Sequence, residues 1–253
     1  MNRIAAVLAL ALSPVCAAFA DRIEGAAFFK AVRDSVKLSR NSEPLKIARN
    51  SAVPAEGLQI SVPAGELLGV AFSNDVSLVA VGPAEFSVDS LSQEAPGNLD
   101  APGESESLPS KISVSVRRGT LVFAAAQRLE SSKFSISLPG AEADARARFV
   151  IAEAGPGGIR LAPIGGTARI RAAGGIWDVV KAENFASVAA PESGKPAKPA
   201  FERIYSSERS RFSDLMKSAE ILRESTFFKL GADGKFSAET VMPKTFFSMP
   251  ARR

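Results

Sequence analysis

The chemistry open to this chain is set first by what it lacks. Its 253 residues contain no histidine, and its single cysteine is Cys16. A Ser-His-Asp triad, a Cys-His pair and a His-ligated zinc each need an imidazole, so none of them can be built. Carboxylates remain. Asp75, Glu85 and Asp89 lie near the ends of the short apolar segments "SLVAV" and "AEFSVDSL". Two such groups facing each other across a cleft are what glycoside hydrolysis uses. Spacing along the chain does not fix their separation, and Glu85 and Asp89 fall on the polar side of an alternating segment, where ordinary solvated residues sit. A lysine stripped of water that deprotonates a serine is the other route. No Ser-x-x-Lys occurs, and Ser193-Gly194-Lys195 lies in a Pro/Lys-rich stretch that supplies no burial.

Glu94, Asp100, Glu104 and Glu106 offer oxygen ligands to calcium but lack EF-hand spacing. The glycine-rich stretches "GPGGIRLAPIGG" (155–166) and "AAGG" (172–175) form neither a Walker nor a dinucleotide fingerprint, and no helical pattern follows them. Hairpin glycines with positive φ account for them better. No cofactor or metal is therefore expected. Trp177, the one tryptophan, has the shape to stack on a sugar or a partner, although a lone Trp in an apolar run is more often core.

The elements that must position these residues come next. Residues 1–20, "MNRIAAVLALALSPVCAAFA", have a basic start at Arg3, a short apolar core and an Ala-Phe-Ala end. That is the pattern of a secretory signal cut after Ala20, and the apolar core is too short for a membrane span. The residues before Cys16 do not make a lipid-attachment site. Export implies a periplasmic or cell-envelope location and no integral membrane segment once the signal is removed. Without Arg3 the balance is 30 basic to 27 acidic residues, too even to predict nucleic-acid binding.

Residues 27–38 fit a helix, with Phe28, Val32 and Val36 four apart, or two short strands around Arg33-Asp34; the sheet-like run that follows favours strands. From residue 58 onward short segments such as "LQISV", "KISVSV", "TLVFAAAQ" and "KFSISLP" alternate with period two and are separated by Gly, Pro, Asn-Asp or Ser pairs. Strands at this spacing predict an all-β sandwich or roll. In that frame Gly82-Pro83 is a tight turn. Residues 92–111 break the rhythm with three prolines and only two large apolar residues, the composition of a flexible acidic loop.

A β domain over 21–190 is thus followed by a linker over 191–200 and a C-terminal unit over 201–253. Within that unit Phe201, Tyr205, Phe212, Leu215, Ala219 and Leu222 recur at three- and four-residue steps, interrupted at Glu208, which predicts an amphipathic helix. "FFKLGADGKFSAETV" predicts a hairpin with Gly231 to Gly234 as its turn.

The succession "VKL" (36–38), "VPAGELLGVAFSNDVSLVAVGPAEFSV" (62–88), "VRRGTLVF" (116–123), "KFSISLPGAEADARARFVIA" (133–152) and "IRLAPIGGTARIRAAGGIWDVVKAENFASV" (159–188) resembles the FecR-type periplasmic domain. Gly65, Gly82, Gly119 and Gly166 match its turn glycines. The likeness covers residues 27–189. It departs from the family at Arg146-Ala147, where a Gly-Thr pair is usual, and in lacking the cytoplasmic and transmembrane segments. The resemblance implies a non-catalytic envelope module that binds a protein or glycan, with Trp177, Phe201, Tyr205, Phe212, Leu215 and Leu222 as candidate contacts. The C-terminal helix is expected either to cover the sheet, at an open edge, or to dock a partner. A structural envelope component and a carboxylate-dependent hydrolase are the competing expectations.

Overall fold

A computed structural model describes residues 22–30, 32–47, 51–94, 104–190 and 198–241. Its N-terminal part is made of short strands: β1 (Arg22–Glu24), β2 (Ala26–Lys30), β3 (Lys37–Arg40), β4 (Glu43–Pro44), β5 (Ala52–Pro54), β6 (Leu58–Val62) and β7 (Leu67–Phe72). Residues 27–38 thus take the strand option, with β2 and β3 on either side of Arg33-Asp34. Four long strands follow, β8 (Val76–Glu94), β9 (Ser110–Ala125), β11 (Ala141–Gly155) and β12 (Gly158–Ala172), with the short β10 (Lys133–Leu138) between the second and third. The sheet is completed by β13 (Asp178–Val180), β14 (Asn184–Ala189) and β15 (Ala200–Arg203). Helix α1 (Ser206–Ser225) and the hairpin β16 (Thr226–Leu230) and β17 (Phe236–Thr240) end the described chain, the latter turning at Gly231–Gly234 as its glycines predict.

The all-β architecture with a C-terminal helix and hairpin matches the sequence pattern, but three pairs of expected strands are single strands. "SLVAV" and "AEFSVDSL" merge in β8, "KISVSV" and "TLVFAAAQ" in β9, "IRLAPI" and "TARIRA" in β12. Gly82-Pro83, a cis peptide, is therefore not a chain reversal: it sits at an irregularity in the β8–β9 register. Glycine is required at these points because a neighbouring backbone passes through the space of a side chain. A Cβ on Gly82 would run into the Pro63 carbonyl, and one on Gly119, at φ +100°, into Ala84.

Each long strand contributes to two halves of the sheet. In one half, residues 76–81 of β8 pair with β7 and with β9, whose residues 119–124 pair directly with residues 149–154 of β11. In the other half β10 is inserted between β9 and β11, parallel to the first and antiparallel to the second. The inward faces of both halves share one core. Leu78, Leu121, Phe123 and Val150 of the first half meet Phe86, Ile112, Phe134 and Ile136 of the second. Phe123 and Phe134 touch edge to face at 5.2 Å between centroids.

The outer faces differ. In the first half Val79, Val122, Ala124, Ile151, Ala162 and Phe185 point away from the main core and are buried under α1. Phe212 packs at 6.4 Å on Phe185, and Ala219 lies over Val79 and Ala124. Leu222 and the hairpin's Phe228 and Ala238 continue the cover over Ala26, Phe28 and Ala71. The Ser77 hydroxyl donates to the Ala219 carbonyl at 2.6 Å, fixing the C-terminal half of the helix to the start of β8. In the second half the outward positions are polar: Ser87, Ser113, Ser115, Ser135 and Ser137 are only half-buried.

The helix therefore covers a sheet face, not an open edge, and its apolar stripe is used within the molecule. It starts later than the pattern predicts. Phe201 belongs to β15, and Tyr205 precedes the first turn, where its backbone N–H donates to the Glu208 carboxylate. The irregular spacing around Glu208 marks this change from strand to helix.

Candidate functional site

The carboxylates singled out for chemistry do not come together. Glu85 pairs with Arg118 at 2.7 Å, and Asp89 accepts from the hydroxyls of Ser87 and Ser115, all on the outer polar face. Asp75 lies in the tight turn between β7 and β8, at φ +57°. Burial pushes its carboxyl up to about 6, with Glu106 adding to the effect and Arg223 and Arg128 opposing it.

Glu106, considered in the sequence only as a loop acid that could face calcium, is instead a buried partner of Arg128. It belongs to the expected flexible loop 92–111, yet residues 92–94 and 110–111 are strand and Glu106 is buried; residues 95–103, including Asp100, lie outside the described residues. Its carboxylate pairs with Arg128 at 3.2 Å and accepts from the Ser110 hydroxyl and the Leu129 N–H. Arg128 also donates to the Asn74 carbonyl and to the Ser110 hydroxyl. Asp75 and Glu106 both line a cavity of about 40 Å³, bounded by Phe227 and Phe228 of the hairpin. That volume holds water and excludes a saccharide ring. The two acids therefore do not form a glycosidase pair, which must flank its substrate.

A larger cleft of about 540 Å³ opens on the other side of Arg128, between the end of α1 and the bends of β11 and β12. Arg146, Arg148 and Arg223 line it together with Glu104 and Glu224. Its charges are neutralised internally. Glu220 accepts from Arg148 at 2.7 Å and from Arg223 at 2.9 Å. Burial works against its charge, but the bonds from the two arginines prevail and hold its carboxyl below the usual range. Burial, with Glu220 adding to it, pushes Glu224 upward. The cluster ties α1 to β11 through the Arg148–Glu220 pair.

The candidate contact residues divide into two sets. Phe212 and Leu222 are fully buried and Leu215 is partly buried under the helix, so these three face the sheet and not a partner. Phe201 and Tyr205 are exposed, and Trp177 is 38% exposed. Trp177 is not core: it lies against Arg171 and Arg169, whose guanidinium carbons are 4.9 and 5.4 Å from its ring centroid. Ile176 and Val179 beside it are exposed as well. Ser193-Gly194-Lys195, Cys16 and the signal-like residues lie outside the described residues. No helix among the described residues is long and apolar enough to cross a membrane.

No protein-family model matches the chain, and no curated protein matches it. Among solved structures it is similar to two crystal structures of a putative anti-sigma factor from Parabacteroides distasonis. Both are 11% identical, with TM-scores of 0.42 and 0.41. Each match covers 61% of this chain and 63% or 64% of the other, so the chain spans less than two thirds of these neighbours.

Proposed function

We propose that this chain is a non-catalytic, secreted envelope protein whose FecR-like β domain binds a protein or glycan partner. The observation that carries the proposal is the division of its polar side chains. In the concave places Glu106 is locked to Arg128, and Glu220 to Arg148 and Arg223, the Arg148 pair joining α1 to β11. The side chains suited to recognition, Trp177 with Ile176 and Val179, lie exposed at the rim of the polar outer face. Residues 1–20 supply the export signal, and Gly82, Gly119 and Gly166, matched to the FecR pattern, stand where strands bend and neighbouring backbones crowd.

Affinity capture from solubilised cell envelope, with the full mature chain as bait, tests this. Recovery of a specific protein or polysaccharide supports it. Release of reducing sugar from envelope polysaccharide, abolished by Asp75→Asn, would replace it with the hydrolase reading. Self-assembly in sizing experiments without any captured partner would replace it with a structural role.

A further inference from the structure

Resting on that binding-module reading, we infer that the outer face of the β10-containing half binds an uncharged glycan strand, with Trp177 as its stacking platform. Register places Gln59, Ser87, Ser115, Ser137, Glu142 and Arg171 side by side on six adjacent strands. At about 4.8 Å between strands, that row runs roughly 24 Å across the sheet. Trp177 closes it, held against Arg171 and Arg169. A second row lies beside it, in which Ser113, Ser135, Asp144 and Arg169 are successive neighbours and Val179 pairs with Arg169. Beside the Trp177 end is a groove of about 470 Å³, lined by Ser137, Glu142, Arg171 and the turn glycines Gly140 and Gly174.

The chemistry of this face selects its occupant. Arg171 pairs with Glu142 at 2.6 Å, Arg169 pairs with Asp144, and the Asp89 carboxylate accepts from the hydroxyls of Ser87 and Ser115, so the charged groups along these rows are already engaged. A highly charged polymer would have to compete with those pairs. A protein hot spot needs an apolar anchor in a desolvated centre, whereas here the aromatic side chain stands at one end of a row of hydroxyls. A saccharide has both complements: the C–H face of a pyranose ring for the indole, and hydroxyls for the serines and for the outer edges of the arginine–carboxylate pairs. Trp177 is already positioned by its arginines, which lowers the ordering cost of binding.

The sole tryptophan makes the test direct. The full chain is titrated with chitohexaose, cellohexaose and maltohexaose while indole fluorescence is followed, with calorimetry in parallel. The expected result is a saturable fluorescence change with at least one of the three. Trp177→Ala is expected to weaken calorimetric affinity by about tenfold or more at unchanged melting temperature, and Trp177→Phe to fall between the two. No saturable response to any of the three, or binding unaffected by Trp177→Ala, overturns the inference. If envelope capture then still recovers a protein partner, the binding-module proposal survives and only the glycan assignment falls; if capture also fails, both fall.

Discussion

The two halves of the sheet are built from the same four long strands, yet they obey different sequence rules. Where β8 and β9 run past α1 they read "VSLVAV" and "TLVFAAA", nearly unbroken apolar runs, because both faces are buried. Where the same strands flank β10 they read "EFSVDS" and "KISVSV", with Ser87, Ser90, Ser113 and Ser115 and the charged Glu85, Asp89 and Lys111 outward. Environment, not strand identity, sets the pattern. One outer face is consumed by the molecule's own helix, and the other is left for solvent or a ligand.

This contrast is most severely tested by deleting the helix. A chain ending at residue 190 uncovers Val79, Val122, Ile151 and Phe185, and is expected to aggregate or lose its cooperative thermal transition. A soluble, cooperatively melting truncation would show that the apolar outer face does not need its cover. Val122→Ser imposes the open-half pattern on the covered half. It is expected to cost about 3–4 kcal/mol in urea denaturation, through lost burial and an enclosed hydroxyl.

Asp75 sharpens the comparison at the edge of the covered region. Its folded-state pKa, about 6, lies above the unfolded value of 3.8. Stability from its protonated form is complete below about pH 4 and is lost as pH rises through 6. Asp75→Asn is therefore expected to stabilise the protein by up to about 3 kcal/mol at pH 8, with the difference disappearing at pH 4, as melting temperatures across that range would show. Asparagine also tolerates the positive φ of this turn. The smallest effect belongs to the open half: Ser135→Val is expected to change stability by less than about 0.5 kcal/mol. A loss of several kcal/mol there would mean that this face is as tightly packed as the other.

Much of the strand content was legible from alternation. "LQISV" and "KFSISL" are strands over the residues the pattern marks, and the Gly231–Gly234 hairpin turns where its glycines place it. The joins were not legible. A glycine that reverses a chain and a glycine that makes room for a crossing backbone look alike in sequence, so β8, β9 and β12 were divided at Gly82, Gly119 and Gly165-Gly166. The site was less legible still. Glu106 sits among Pro, Gly and Ser, the composition of a solvated loop, and Arg128 and the Leu129 N–H from beyond β9, with the nearby Ser110 hydroxyl, make its burial tolerable. Trp177 had the opposite fate, since "GGIWDVV" has the apolar character of a core strand although Ile176, Trp177 and Val179 are all exposed. One signal was available: Arg169 and Arg171 alternate on the preceding strand, spaced to line up beneath such a ring.

The order of elements along the chain has a kinetic consequence. The cover over Val79, Val122 and Phe185 is built from residues 206–225, after every strand of the large sheet. A chain emerging from its N-terminus can pair those strands early but must hold a greasy surface open until the final segment arrives. During that interval the unfinished sheet is exposed to self-association. Arrival of α1 acts as the commitment step, so changes that slow its docking, such as loss of the Ser77 bond to Ala219, should lower the yield of folded protein more than they lower its final stability.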